Sequence, residues 1–265
     1  MKVGITELVI PSKWSFDEVL RNIKANGYEA LEFALRDQGY FSLAAGKAQL
    51  KELPKKAGDA GIKLVSICPA FGGRPKDVMT NDAAVRKASV QTITDCMKIA
   101  NAVKVDKILL VLGGLTPDLY YDQAYKNAVG TLREIAPVAE DMGVKLAIEY
   151  VWNKFLLSPM EFARFLDEVG SPNIGFYFDP GNMCAFSYPK QWVRLLGKHL
   201  MAVHMKDFKR QGFQWVPLGQ GDADFPGIMA ELRALKFDGA LVSEVDTGTA
   251  PYADTAAAIR KIMSA

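Results

Sequence analysis

The chain has little histidine, little cysteine and almost no net charge. Only His199 and His204 occur among 265 residues. That excludes an imidazole-rich metal cluster, so any metal bound here must be held mostly by carboxylates. The three cysteines, Cys68, Cys96 and Cys184, are odd in number and widely spaced. No disulfide framework is expected from them, and a reducing compartment fits. The formal charge is +2, from 32 basic and 30 acidic residues, too balanced for a dedicated nucleic-acid or membrane-surface binder. No apolar run approaches the ~20 residues of a membrane span, and the opening residues Met1 to Ile5 carry no secretory apolar region. A cytoplasmic protein without nucleic-acid or membrane partners is expected.

What is present is an alternation. With 49% hydrophobic and 23% charged residues, the composition is that of a folded protein rather than a disordered or repetitive one. Short apolar runs at 3–10, 30–35, 62–68, 107–112, 144–150, 173–178, 199–206 and 240–245 read as strands. Between and after them, amphipathic stretches at 15–26, 45–60, 81–102, 123–142, 158–169, 189–196, 225–235 and 252–263 read as helices. Ser15 with Glu18 forms a capping-box pattern, Ser158 sits at an N-cap position, and Thr80 or Asn81 is the expected cap of the third helix. Gly27, Gly61 and Gly143 stand where helices should end, and Pro54 is expected to interrupt the second. Eight strand–helix units with no linker between halves argue for a covered parallel sheet. In about 260 residues they fit a closed (β/α)8 barrel spanning 1–265 as one domain. The rival doubly wound sheet would carry a glycine-rich turn after the first strand, where this chain has Val9-Ile10-Pro11-Ser12-Lys13-Trp14.

Barrel chemistry sits at the C-terminal ends of the strands. Strand five ends in Glu149, six in Asp179, seven carries His204 and Lys206, and eight ends in Glu244. The spacings of 30, 25 and 40 residues each approximate one β/α unit, so the four side chains should converge above one end of the barrel. Three carboxylates and one imidazole form an oxygen-rich donor set suited to Mn²⁺, Mg²⁺ or Co²⁺, with Zn²⁺ also admissible. Without a cation, three like charges within ~4–6 Å could not all stay ionised cheaply. Separate salt bridges with nearby Lys and Arg are the alternative for each residue taken alone.

With Ala147-Ile148-Glu149-Tyr150, Phe178-Asp179-Pro180-Gly181-Asn182, Val203-His204-Met205-Lys206-Asp207 and Pro217-Leu218-Gly219-Gln220-Gly221-Asp222-Ala223-Asp224-Phe225, the chain resembles the xylose-isomerase-like TIM barrels. Within them it is similar to the sugar phosphate isomerase/epimerase group, which holds ketose 3-epimerases and inosose isomerases and dehydratases. The resemblance covers essentially the whole chain. It implies that Glu149, Asp179, His204 and Glu244 bind a divalent metal, and that Glu149 and Glu244 are the acid/base pair. The implied enzyme is a metal-dependent isomerase or epimerase acting through a metal-bound cis-enediolate on a ketose or keto-cyclitol. A dehydratase or lyase on the same site is the alternative, since the same intermediate can expel a β-hydroxyl. The resemblance also covers metal-dependent nucleases with three-zinc, histidine-rich centres, which two histidines cannot build. Barrels of this kind commonly form dimers or tetramers, so a homo-oligomer is expected.

Other positions carry less. Lys206 shares a strand face with His204 and is expected to contact substrate. Asn182 is read either as a donor to substrate or as a turn former. Arg210 matches a substrate-oxygen arginine of the epimerases or belongs to a solvated basic loop. Glu32, near the end of strand two, is read as a holder of an imidazole, a hydroxyl or a lysine. Trp14, Phe71, Trp152 and Trp215 fall in loops above the barrel, where they could stack on a sugar. His199 opens strand seven at the far end and is read as structural, and Cys68 has no base to activate it. Several ketose epimerases place a glutamate six residues after the strand-five glutamate. Here Phe155 stands there, which turns the expectation toward a smaller, cyclic or more apolar substrate.

Overall fold

The computed structural model describes residues 1–265. Eight parallel strands close into a barrel. In chain order they are β1 (Lys2–Thr6), β2 (Ala30–Leu35), β3 (Lys63–Pro69), β4 (Lys107–Leu110), β5 (Lys145–Glu149), β6 (Ile174–Phe178), β7 (Leu200–Met205) and, after an antiparallel hairpin of β8 (Asp207–Lys209) and β9 (Gln214–Val216), β10 (Ala240–Ser243). β1 closes the ring by pairing with both neighbours: Ile5 lies opposite Leu31 on one side and Ser243 on the other. Helices cover the outside: α1 (Phe16–Ala25), α2 (Lys47–Asp59), α3 (Ala83–Ala102), α4 (Tyr121–Met142), α5 (Pro159–Val169), the short α6 (Pro180–Cys184), α7 (Pro189–Leu196), α8 (Phe225–Ala234) and α9 (Tyr252–Ser264).

The helix boundaries follow local chemistry. Glu18 N–H donates to Ser15 Oγ and Ser15 N–H donates to Glu18 Oε2, completing the capping box of α1. Ser158 Oγ accepts from the Glu161 N–H at the start of α5. Gly143 adopts φ 65°, a left-handed turn that a glycine ends a helix with at no steric cost. Three local expectations are corrected. α3 is capped by Asp82, whose carboxylate accepts from Ala84 and Val85 N–H, rather than by Thr80 or Asn81. α2 runs unbroken through Pro54, although the proline supplies no N–H to the Leu50 carbonyl four residues before it. β4 stops at Leu110, since the Leu112 carbonyl is taken by the Val78 N–H from the preceding loop.

Two apolar regions result from the period-2 alternation of the strands. Outward-facing residues such as Ile148, Phe176, Phe178 and Val203 pack under the helices in one large core. Inward-facing residues form a separate small cluster of Cys68, Leu109, Ala147, Tyr177 and Ala202. Two of these five are alanines, so the lumen keeps room for polar side chains. The residues two positions further along β5, β6 and β7 face the same way, and they are Glu149, Asp179 and His204. On β10, Val242 lies opposite His204 in register, and Glu244 follows it by two.

Candidate metal centre

Glu149, Asp179, His204 and Glu244 each offer one donor atom, and the four atoms lie within 4.8 Å of one another. Octahedral ligands about 2.1 Å from one ion are about 3 Å apart when adjacent and about 4.2 Å when opposite, so the cluster is slightly wider than the ligand shell of one cation and needs only small side-chain shifts to close on it. Asp179 and His204 are fully buried and Glu149 nearly so. Asp179 is fixed by the start of α6: its Oδ1 accepts from Gly181 and Asn182 N–H at 2.8 and 3.2 Å. That leaves Oδ2 aimed at the cluster. Among buried side-chain polar atoms, Asp179 Oδ2 and His204 Nδ1 are the two without a hydrogen-bond partner. His204 Nδ1 lies 3.1 Å from Glu244 Oε2 and 3.4 Å from Glu149 Oε1, near but not aligned for hydrogen bonding. Two orphaned atoms facing two carboxylates is the arrangement a shared cation would resolve. The donor set therefore fits a divalent metal held by all four residues.

Lys206 extends into the same space, with Nζ 3.0 Å from Glu244 Oε2 and 3.2 Å from Asp179 Oδ2. Burial would lower its pKa, but the carboxylates of Asp179 and Glu244 outweigh burial and raise it. Burial pushes Glu149 well above the ordinary carboxylate range. On Glu244 burial acts upward too, yet the His204 ring and the Lys206 ammonium prevail and hold the carboxyl low. Lys206 reaches this position because Gly181 stands beside it; a Cβ there would lie 2.6 Å from the Lys206 Cβ and 2.8 Å from the Trp215 ring. A cavity of about 230 Å³ opens beside the cluster, walled by Val9, Lys206, Trp215, Glu244 and Thr249.

The remaining sequence candidates divide. Asn182 Nδ2 donates to Glu149 Oε1 at 3.1 Å and to the Tyr150 carbonyl at 3.2 Å, so it braces Glu149. Arg210 does not reach the cluster with its donors: Nε and a terminal nitrogen bind the carbonyls of Cys184 and Ser187, each at 2.8 Å, and the guanidinium sits over Tyr188. It ties the segment between α6 and α7 to the β8 strand. Trp152 and Trp215 stack on each other at 5.3 Å, with Phe213 and Phe186 alongside, while Phe71 is buried. Phe155 is also buried, packed among Tyr121, Tyr125 and Phe165. It lies between helices rather than over the site. His199 pairs with Asp167 at the opposite end of β7. Cys68 is buried, and burial raises its thiol pKa.

Glu32, read from the sequence as a holder of an imidazole, a hydroxyl or a lysine, meets the imidazole, whereas Ser66, Tyr177 and Asp207 were not singled out in the sequence. Glu32 Oε1 lies 2.9 Å from His204 Nε2, while Glu32 Oε2 accepts from Ser66 Oγ and Tyr177 OH at 2.7 Å each. Burial alone would raise the Glu32 carboxyl, but the His204 ring and these donors hold it below the usual range. The signal for Tyr177 was its position two residues before Asp179 on the same strand face. Asp207 is a loop clamp: its carboxylate accepts from the N–H groups of Phe208, Gly219, Gly221 and Ala223. A Cβ on Gly221 would fall 2.2 Å from Asp207 Oδ1, which explains the glycine in that loop. α6 is five residues long, too short for periodicity to reveal, although Asp179 before Pro180 is an N-cap followed by an N1 proline.

Comparison with known proteins is consistent with this architecture. A family model described as xylose isomerase-like TIM barrel matches residues 20–262. The L-ribulose-5-phosphate 3-epimerase UlaE of Salmonella paratyphi C is 27% identical over 265 residues, covering 97% of this chain and 92% of its own. Among solved structures, a D-psicose 3-epimerase with D-tagatose from Clostridium cellulolyticum H10 superposes with TM-score 0.81 at 20% identity, covering 99% of each chain. The 3-keto-D-glucoside 4-epimerase YcjR of E. coli, in its apo form, does so with TM-score 0.80 at 18% identity and 100% of each chain.

Proposed function

Because this chain belongs to the xylose isomerase-like TIM barrel family, we propose that it is a divalent-metal-dependent sugar epimerase or isomerase acting on a ketose or keto-cyclitol. One observation supports this above the others. Four metal-competent side chains from four consecutive barrel strands meet at the C-terminal face, with two buried donor atoms that make no hydrogen bond. The relative named above as a 3-epimerase of a ketose phosphate matches along nearly its whole length.

When bound, a divalent cation supplies Lewis-acid polarisation of a sugar carbonyl and acidifies the adjacent C–H. Glu149, Asp179, His204 and Glu244 would hold it. Around the barrel the order is β10, β7, β6, β5, so Glu244 and Glu149 are the two outermost of the four. A substrate held between them presents one face to each carboxylate. One carboxylate removes the proton from the carbon beside the carbonyl and keeps it, and the other, in its protonated form, delivers its own proton to the opposite face, inverting that carbon. Asn182 holds Glu149 Oε1 and leaves Oε2 for this work. Lys206 lies where it can place positive charge beside Glu244 and the oxygens that gain charge. Asp179, with Oδ1 committed to the α6 cap, has one oxygen to offer and no second one for proton transfer.

The test is solvent exchange. Ketoses, ketose phosphates and inososes are incubated in D₂O with the protein and Mn²⁺, Co²⁺ or Mg²⁺, and followed by NMR and mass spectrometry. Deuterium should enter the carbon beside the carbonyl without loss of water, and a chelator should stop it. A product lighter by one water replaces the isomerase with a dehydratase on the same residues. Exchange that survives verified metal removal refutes the metal requirement.

A further inference from the structure

We infer that Glu32 is a positioning residue of the metal centre: reaching across the lumen from β2, it fixes which nitrogen of His204 faces the metal and enriches that nitrogen in electron density. This rests on the reading of the four-residue cluster as a metal site. The two partners are 172 residues apart in the chain, and both are fully buried. A carboxylate oxygen 2.9 Å from Nε2 demands a proton on that nitrogen, so the neutral ring has its lone pair on Nδ1. Nδ1 is the atom that faces Glu149 and Glu244 and lacks a hydrogen-bond partner. Rotating the ring by half a turn would remove Nε2 from Glu32. The Tyr177 ring, its centroid 4.4 Å from that of the imidazole, packs against it.

Glu32 is itself immobilised. Ser66 Oγ and Tyr177 OH both donate to Oε2, so Oε1 is directed at His204 alone. With three donors on one carboxylate, the negative charge stays behind the ring. A charge there makes the imidazole a stronger ligand. Fold stability gives no separate reason for it, because a buried charge is seldom worth more than an apolar filling of the same volume. The alanines at 147 and 202 keep the lumen open enough for the carboxylate to cross.

Zn²⁺ is the probe, because it is diamagnetic. Long-range ¹H–¹⁵N correlation on the Zn²⁺-loaded full chain reads the ring nitrogens directly. His199 and His204 are the only two imidazoles, and a His199→Gln variant assigns them. His204 should show a protonated Nε2 and a metal-bound Nδ1. Glu32→Gln keeps the shape but removes the charge. It should raise the Zn²⁺ dissociation constant about 10- to 100-fold in calorimetric titration and weaken the Nε2–H deshielding, with the circular dichroism of the metal-free protein unchanged. A wild-type ring with Nδ1 protonated overturns the inference even if Glu32→Gln fails to fold. So does a Glu32→Gln affinity within about twofold of wild type, against the tenfold or more that a charged partner supplies. If the wild type binds no Zn²⁺ at all, the metal reading falls and takes this inference with it.

Discussion

Adding a divalent cation should stabilise this protein by an amount set by four residues. At 4.8 Å, two unit charges in surroundings of effective dielectric about 20 repel by about 3.5 kcal/mol, and three carboxylates lie within that distance of one another. Lys206 offsets part of this from one side of the cluster. A cation that binds only the folded state at 100 times its dissociation constant adds about 2.7 kcal/mol. Unfolding entropy of about 2.1 cal/mol/K per residue gives about 0.56 kcal/mol/K for a chain of this length, so Tm should rise by about 5 °C. The assay is differential scanning calorimetry of chelator-stripped protein with Mn²⁺, Co²⁺, Mg²⁺ or Zn²⁺ added, then with chelator restored. His204→Ala removes one ligand and the orphaned Nδ1. If affinity drops 100-fold, the same metal concentration adds only about 0.4 kcal/mol, or under about 1 °C. A Tm indifferent to all four ions, or a shift in His204→Ala equal to that of the wild type, would refute the assignment of the cluster.

Glu149→Gln and Glu244→Gln should each lower kcat by about 10²–10⁴-fold with metal content retained; near-wild-type turnover in either removes that residue from proton transfer. Asp207→Ala should cost about 3–5 kcal/mol in urea denaturation, because up to four backbone N–H groups lose their acceptor together; a loss below about 1 kcal/mol would show that water replaces the carboxylate. Glu7 supplies a pH test away from the metal ligands. Burial pushes its carboxyl from 4.5 up to about 7, so the folded state holds the proton more tightly than the unfolded chain. The resulting penalty is absent below pH 4.5, grows as pH rises, and is complete above about 7. Glu7→Gln should therefore gain about 3 kcal/mol on the wild type between about pH 4 and pH 8, and a difference that stays flat across that range would contradict the burial argument.

The barrel was legible because its signals are local and repeated. Apolar runs of strand length, amphipathic stretches, Ser15 and Ser158 caps and terminal glycines each specify one unit, and eight such units in series leave few ways to close. The convergence of Glu149, Asp179, His204 and Glu244 was legible for a related reason. A strand places every second residue on one face, and a parallel barrel puts all strand ends of one kind at one mouth, so spacing along the chain becomes proximity in space. The deviations lie where a local signal was weak or non-local partners prevailed: α6 is too short to show a period, β4 is cut back by the Val78–Leu112 hydrogen bond, and α2 tolerates Pro54.

The sequence by itself determined the repeat, the mouth of the barrel and which four side chains converge there. Only the tertiary structure decided what each side chain does with its remaining hydrogen-bonding capacity. Asn182 turns to Glu149 and Arg210 to the carbonyls of Cys184 and Ser187, although spacing offered both as substrate contacts, and Phe155 turns to an aromatic core. Glu32 meets His204 across the lumen, joined through no neighbouring residue and by no motif. Pairings of that kind depend on which side chains are small enough to leave space, here Ala147 and Ala202, and on how many donors a buried carboxylate must find once water is excluded. Those conditions are set by the closed barrel as a whole.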